Sequence, residues 1–136
     1  MRKRISLIVA GIGIATSAVL ASPASAASYD GFCDASDGGE ACLYYLSNFS
    51  GPIYDTLHSK YSYTGTFYGT ETYINNEVAS VWNRDTVNWL TLYDNTGYTG
   101  AKVAVAPGGY IAYLSDYGFA NRASSHCFSN VSSCPN

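Results

Sequence analysis

Charge is what this sequence has least of: Asp, Glu, Lys and Arg together make up 12% of its 136 residues, and only seven of these are basic. It has one methionine, the initiator, and two histidines, His58 and His126. There is no HExxH, no GxSxG and no CxxC, so the sequence signs of a zinc protease, a nucleophile-elbow hydrolase and a thiolate zinc site are all missing. No window after the first 26 residues keeps an apolar period of 3.6 through several turns, which excludes long amphipathic helices. One short stretch, Asn75 to Trp82, reads as helical.

The one long apolar run is at the start, where Arg2, Lys3 and Arg4 precede the uncharged stretch from Leu7 to Leu20 and Ala24-Ser25-Ala26 follows. That order of basic, apolar and small residues is a secretory signal peptide, and cleavage is expected after Ala26. The run is shorter than the roughly 20 residues a spanning helix needs. Residues 1–26 are therefore read as a removed leader, and the protein as secreted and extracellular. Removal leaves Lys60, Arg84, Lys102 and Arg122 against ten acids, a net charge of −6. So few cations argue against nucleic acid as a partner and against an anionic membrane after processing. The remaining length suits one domain, expected as a monomer.

What is abundant is tyrosine and glycine, 13 of each. Tyr, Thr, Val and Trp favour strands while Gly, Asn, Asp and Ser make turns, so an all-β domain is expected. Residues 27–41 are small and polar and read as an N-terminal arm. From residue 42 short strand-like runs recur: Cys42 to Ser47, Thr64 to Tyr68, Trp89 to Tyr93, Lys102 to Ala106 and Tyr110 to Leu114. Each is bounded by Gly, Pro, Asn or Asp, the pattern of a sandwich or barrel.

An internal repeat sharpens this reading. Tyr44-x4-Phe49-x-Gly51 returns 49 residues later as Tyr93-x4-Tyr98-x-Gly100. A second pair follows each copy, Asn75-Asn76-Glu77-Val78-Ala79-Ser80 and Ala120-Asn121-Arg122-Ala123-Ser124-Ser125. The first motif suits a strand running into a folded hairpin, with one aromatic over the turn and Gly in a backbone conformation that a side chain disfavours. The second suits a polar loop whose Asn and Ser side chains bond nearby backbone. Two such units predict two Greek keys, about 42–88 and about 89–128, in a domain spanning 42–136.

These residues resemble the βγ-crystallin signature, and both hairpin copies match it fully. Within that superfamily the chain is similar to secreted bacterial (metallo)peptidase inhibitors, through its leader, the arm running from Cys33 to Cys42 into Leu43-Tyr44-Tyr45, and the paired units. The resemblance implies a two-Greek-key sandwich and a non-enzymatic protein whose partner is an extracellular protease. The characterised inhibitors carry their reactive bond in a loop closed by a mid-chain disulfide. No Cys lies between Cys42 and Cys127, so no reactive bond transfers to a residue here. The resemblance also implies an alternative, a calcium-stabilised structural or stress protein. Calcium would be an optional ligand of the loops, not a requirement, with Asn75, Asn76, Glu77, Asn121, Arg122 and Ser124 as the candidates. Ala79 replaces the hydroxyl of the first copy, while Ser124 keeps it in the second.

Four Cys in an exported chain of this size are expected to pair. Spacing favours Cys33 with Cys42 and Cys127 with Cys134; the alternative ties the two ends together. His58 lies in a polar connector, and His126, beside Cys127, is expected to cover a disulfide. Acids such as Asp34 and Asp37 fall in the arm, where no rigid wall would raise a carboxyl's pKa. No catalytic residue is assigned. The most suggestive segment is Asn83 to Asn88, flanked by Trp82 and Trp89: aromatic anchors could stiffen it into a convex edge, with Arg84 and Asp85 as the protease-contact candidates.

Overall fold

The structure is a computed structural model that describes residues 27–135; the expected leader, 1–26, lies outside the described residues. Seven strands form: β1 (Ala41–Leu46), β2 (Ser50–Thr56), β3 (Ser80–Asn83), β4 (Trp89–Asn95), β5 (Thr99–Val105), β6 (Tyr110–Ile111) and β7 (Ser125–Ser129). They make two antiparallel sheets, ordered β2-β1-β3-β6 and β5-β4-β7. Each Greek key lends a piece to the other's sheet. β6, from the second half, pairs with β3 of the first, and Lys60, from the first half, bridges to His126 on β7.

Alternation along the strands builds the core, because successive side chains point to opposite faces. Leu43 and Val81 from one sheet meet Leu90, Leu92, Val103 and Val105 from the other, joined by Phe67, Ile74, Val78, Leu114 and Phe119 from the connections. These larger side chains are almost fully removed from water, at about 1.5–3 kcal/mol each by transfer arithmetic.

Both repeat copies fold as hairpins of one design. Phe49 and Tyr98 have φ of 57° and 59°, and Gly51 and Gly100 have 75° and 86°. The register of each hairpin shifts within β1 and β4, between Tyr44 and Leu46 and between Tyr93 and Asn95. The last Ser of each loop motif closes the hairpin. Ser80 Oγ donates to Leu46 O at 2.6 Å and accepts from Phe49 N at 3.0 Å. Ser125 Oγ donates to Asn95 O at 2.6 Å and accepts from Tyr98 N at 3.2 Å.

Several expectations are corrected. Thr64 to Tyr68 is not a strand; it folds back on itself through Phe67 N to Thr72 O and Ile74 N to Gly65 O, which turns Phe67 into the core. Asn75 to Trp82 holds no helix, only a turn followed by β3, because Asn76 takes φ 60°. The helical pieces among the described residues are two short 3-10 turns, Ser36–Gly38 and Leu114–Tyr117. The cysteines pair as spacing favours, Cys33 with Cys42 and Cys127 with Cys134.

Candidate functional site

The arm is not loose, since it is hydrogen-bonded to the edge strand β2. Tyr29 N donates to Asp55 O, while Asp30 N and Gly31 N donate to the two oxygens of the buried Asp55 carboxylate at 2.8 and 3.0 Å. Further along, Asp34 N donates to Glu40 Oε2 at 2.8 Å, and Glu40 N returns a bond to Asp34 O. Glu40 is wholly buried. Burial raises its pKa to about 7; the bond from Asp34 lowers it, while the charges of Asp55, Asp30 and Asp34 add to the rise. The arm therefore does hold a perturbed carboxyl, Glu40, where the Cys33–Cys42 disulfide ties the arm to β1.

That arm braces the connection between the two Greek keys. Arg84 N donates to Glu40 O at 2.8 Å. A Cβ on Gly39 would run into the Arg84 carbonyl, and φ of 86° disfavours a side chain there too, so glycine is required for the close approach. Inside the connection, Asp85 Oδ1 accepts Val87 N at 2.7 Å and Asn88 N at 2.9 Å, and Oδ2 accepts Asn88 Nδ2 at 2.8 Å. Asp85 is 7% exposed. Asn83, fully buried, donates Nδ2 towards Asn88 O, Val105 O and Ala106 O and accepts Asp85 N. Gly108 N closes the set by donating to Asp85 O at 2.7 Å.

The two contact candidates therefore have different places. Asp85 holds the loop from within and does not face solvent. Arg84 lies across the Trp82 ring, its guanidinium carbon 4.7 Å from the centroid. Thr86 and Val87 form the exposed tip, Val87 at 75%. Beside it Trp82, Phe49 and the exposed Tyr110 pack together, with centroids 5.4 to 5.8 Å apart, Tyr110 edge to face with each of the other two. Asn83 was not singled out in the sequence, although Asn83, Asp85 and Asn88 together are the polar spacing of a side-chain-bonded turn.

The two polar loops meet reciprocally. Asn76 N donates to Ala123 O and Asn121 N to Val78 O, each at 2.9 Å. Ser124 Oγ donates to Asn76 Oδ1 at 3.0 Å; its counterpart Ala79 has no hydroxyl to offer Asn121. Asn75 is exposed and Glu77 half-buried. Arg122 reaches Asp94 Oδ2 with Nη2 at 2.6 Å and Gly118 O with Nη1 at 2.8 Å. The histidines differ. His58 is exposed. His126 is fully buried among Tyr63, Phe128 and the backbone of His58. It does not cover the disulfide, because it shares its side of β7 with the core while Cys127 faces Tyr93 and Cys134 on the other. A carbonyl can only accept, so Nε2 donates to His58 O at 3.0 Å and Nδ1 accepts from Tyr63 Oη at 2.7 Å. The ring is neutral, its pKa lowered to about 4 by burial, with the nearby Lys60 charge adding to the fall.

Comparison with known proteins places this geometry in a fold class. The structure is similar to a βγ-crystallin from an archaeon (TM-score 0.52, 20% identity, 66% of this chain and 96% of that one). It is also similar to a structure described under the evolution of the eye lens βγ-crystallin domain fold (0.56, 15%, 82% and 95%). A βγ-crystallin from Ciona intestinalis aligns likewise (0.54, 18%, 67% and 100%). The fold is thus that of the βγ-crystallin domains. Within it the chain belongs to peptidase inhibitor family I36, whose model matches residues 26–105. Among curated proteins none matches the chain.

Proposed function

We propose that this protein is a secreted inhibitor that blocks an extracellular protease with the loop Arg84 to Asn88. The observation that carries the reading is the Asp85 carboxylate, which accepts three hydrogen bonds inside the loop and leaves Thr86 and Val87 standing out from it. A loop already fixed in one shape loses little conformational freedom on entering a cleft, so more of the contact energy appears as affinity. Arg84 over Trp82, with Tyr110 alongside, supplies Arg, Trp and Tyr, the residue types enriched among interface anchors. Family membership supports the protease as partner. Among the described residues no helix is long and apolar enough to cross a membrane.

The test is titration of a panel of secreted proteases, thermolysin-like enzymes and subtilisins included, with the processed domain. Stoichiometric loss of one activity is expected. V87D and R84A should then weaken that inhibition roughly tenfold or more, about 1.4 kcal/mol or above, with unchanged melting temperature. Inhibition indifferent to both substitutions would remove the loop from the reading, and no loss across the panel would remove the reading.

A further inference from the structure

The paired polar loops carry a feature the calcium expectation did not include. They enclose a shallow hollow of about 320 Å³ lined by Asn76, Asp94, Asn121 and Arg122. A calcium ion takes about six to eight oxygens, carboxylates prominent among them. Asp94 is the one carboxylate lining this hollow, and it is already committed to the Arg122 guanidinium. That guanidinium is fixed at three points: Asp94, the Gly118 carbonyl, and the face of Phe119, whose centroid lies 5.6 Å away. Asp94 is held in turn. A Cβ on Gly100 would strike its Oδ1, so the hairpin glycine makes room for the carboxylate, and Oδ1 is buried with no hydrogen-bond partner. Asn76 Oδ1, a neutral oxygen at the hollow, accepts the Ser124 hydroxyl. These donors do not fit a divalent ion while a fixed positive charge stands among them.

We propose that Arg122 is the resident cation of this loop pair: it neutralises Asp94 and ties the second loop to β4, so the domain holds the fold without calcium and its presence keeps calcium out. The inference does not depend on protease inhibition. It makes the reverse prediction for the hollow emptied of its guanidinium, where Asp94 loses its counter-charge and faces the same space as Asn76 and Asn121.

The experiment is thermal unfolding of wild type, R122K and R122Q in EDTA and in about 10 mM calcium chloride, with calorimetric titration of calcium into each. In wild type and R122K, which keeps the charge, calcium should leave the melting temperature within about 1 °C of the EDTA value and give no binding isotherm. R122Q should melt roughly 1–4 °C lower in EDTA. Calcium should raise it by several degrees, because an ion with a dissociation constant of about 0.1–1 mM stabilises only the folded state. In R122Q combined with D94N that rise should vanish. A calcium-dependent rise in wild type would overturn the proposal, since ion and guanidinium would then coexist. An R122Q that responds to calcium no more than wild type, or that fails to fold with and without it, would overturn it too.

Discussion

Tyr44 and Tyr93 hold the same place in the two hairpins and meet opposite fates. Tyr93 is 5% exposed, roofed by the tail that the Cys127–Cys134 disulfide folds over it, with Cys134 N donating to its hydroxyl at 3.0 Å. Tyr44 stays half-buried in an open aromatic cluster with Phe49, Trp82 and Tyr110. The repeat specifies the hairpin; the chain ends decide what covers it. The tail closes the outer face of the second Greek key. The arm takes a different path over the first, across Asp55 and up to Arg84, and leaves the aromatic surface open beside the proposed contact loop.

The largest effect that sharpens this contrast is a pH effect, because Glu40 in the arm and His126 in the second half are both fully buried and act in opposite directions. Glu40 has a folded pKa of about 7 against 4.5 unfolded, so the folded state holds the extra proton, and stability is lost as pH rises from 4.5 through 7. His126 has a folded value of about 4 against 6.5, so stability is lost as pH falls from 6.5 to 4. Asp55, Asp30 and Asp34 crowd Glu40, and Lys60 faces His126. Between pH 4.5 and 6.5 the two slopes oppose each other and wild type should show a flat profile. E40Q removes one slope. It should match wild type at pH 4 and exceed it at pH 8 by roughly 3 kcal/mol, read from urea unfolding across that range. An E40Q no more stable than wild type at pH 8 would mean that the folded state does not hold the extra proton on Glu40.

The next effect separates the two staples. Each disulfide closes a short loop, with sequence separations of 9 and 7, for which chain entropy gives about 2.5 kcal/mol apiece. Replacing Cys127 and Cys134 with Ala should lower stability by that amount and uncover Tyr93, seen as quenching of tyrosine fluorescence by acrylamide. Replacing Cys33 and Cys42 with Ala should cost about the same, leave Tyr93 protected, and weaken protease inhibition because the arm no longer braces Arg84. Equal loss of inhibition from both pairs would show that the bracing is not local to the first Greek key.

How much of this was legible in the sequence follows the same division. The hairpins were readable because the aromatic-x4-aromatic-x-Gly spacing marks backbone positions of positive φ, now seen at Phe49, Gly51, Tyr98 and Gly100. The strand β2 was not among the expected runs, since Gly51-Pro52 reads as a turn; as an edge strand it tolerates a proline that a central strand would not. Thr64 to Tyr68 has the composition of a strand, but which segment pairs with which sheet is decided by the exchange between halves, a long-range matter that local pattern does not carry. At the candidate site the structure separates two residues that the sequence grouped together. Arg84 and Asp85 look alike as neighbouring charges, yet only geometry shows Asp85 bonded inward and Val87 turned out. The Glu40 environment was invisible for the same reason: a polar, glycine-rich arm reads as loose until its backbone is seen donating to the Asp55 and Glu40 carboxylates.

The smallest effect tests the repeat itself. Ser80 and Ser125 each bridge a hairpin by donating to one backbone carbonyl and accepting one backbone N–H, in matching positions. If the two hairpins are one design, S80A and S125A should destabilise alike, by about 1–2 kcal/mol, since each leaves an N–H and a carbonyl unpartnered by the hydroxyl. The surroundings predict a small inequality. Tyr98 is backed by Tyr61 at 5.6 Å and by the tail above Tyr93, whereas Phe49 is backed by the open Trp82 and Tyr110 pair. A loosened first hairpin therefore has more room to move, so S80A should also alter the proposed contact surface and reduce inhibition, and S125A should not. Thermal unfolding and inhibition titration of the two variants side by side measure both halves of the statement. A destabilisation confined to one serine would mean that the repeat survives in the sequence but no longer carries equal weight in the fold.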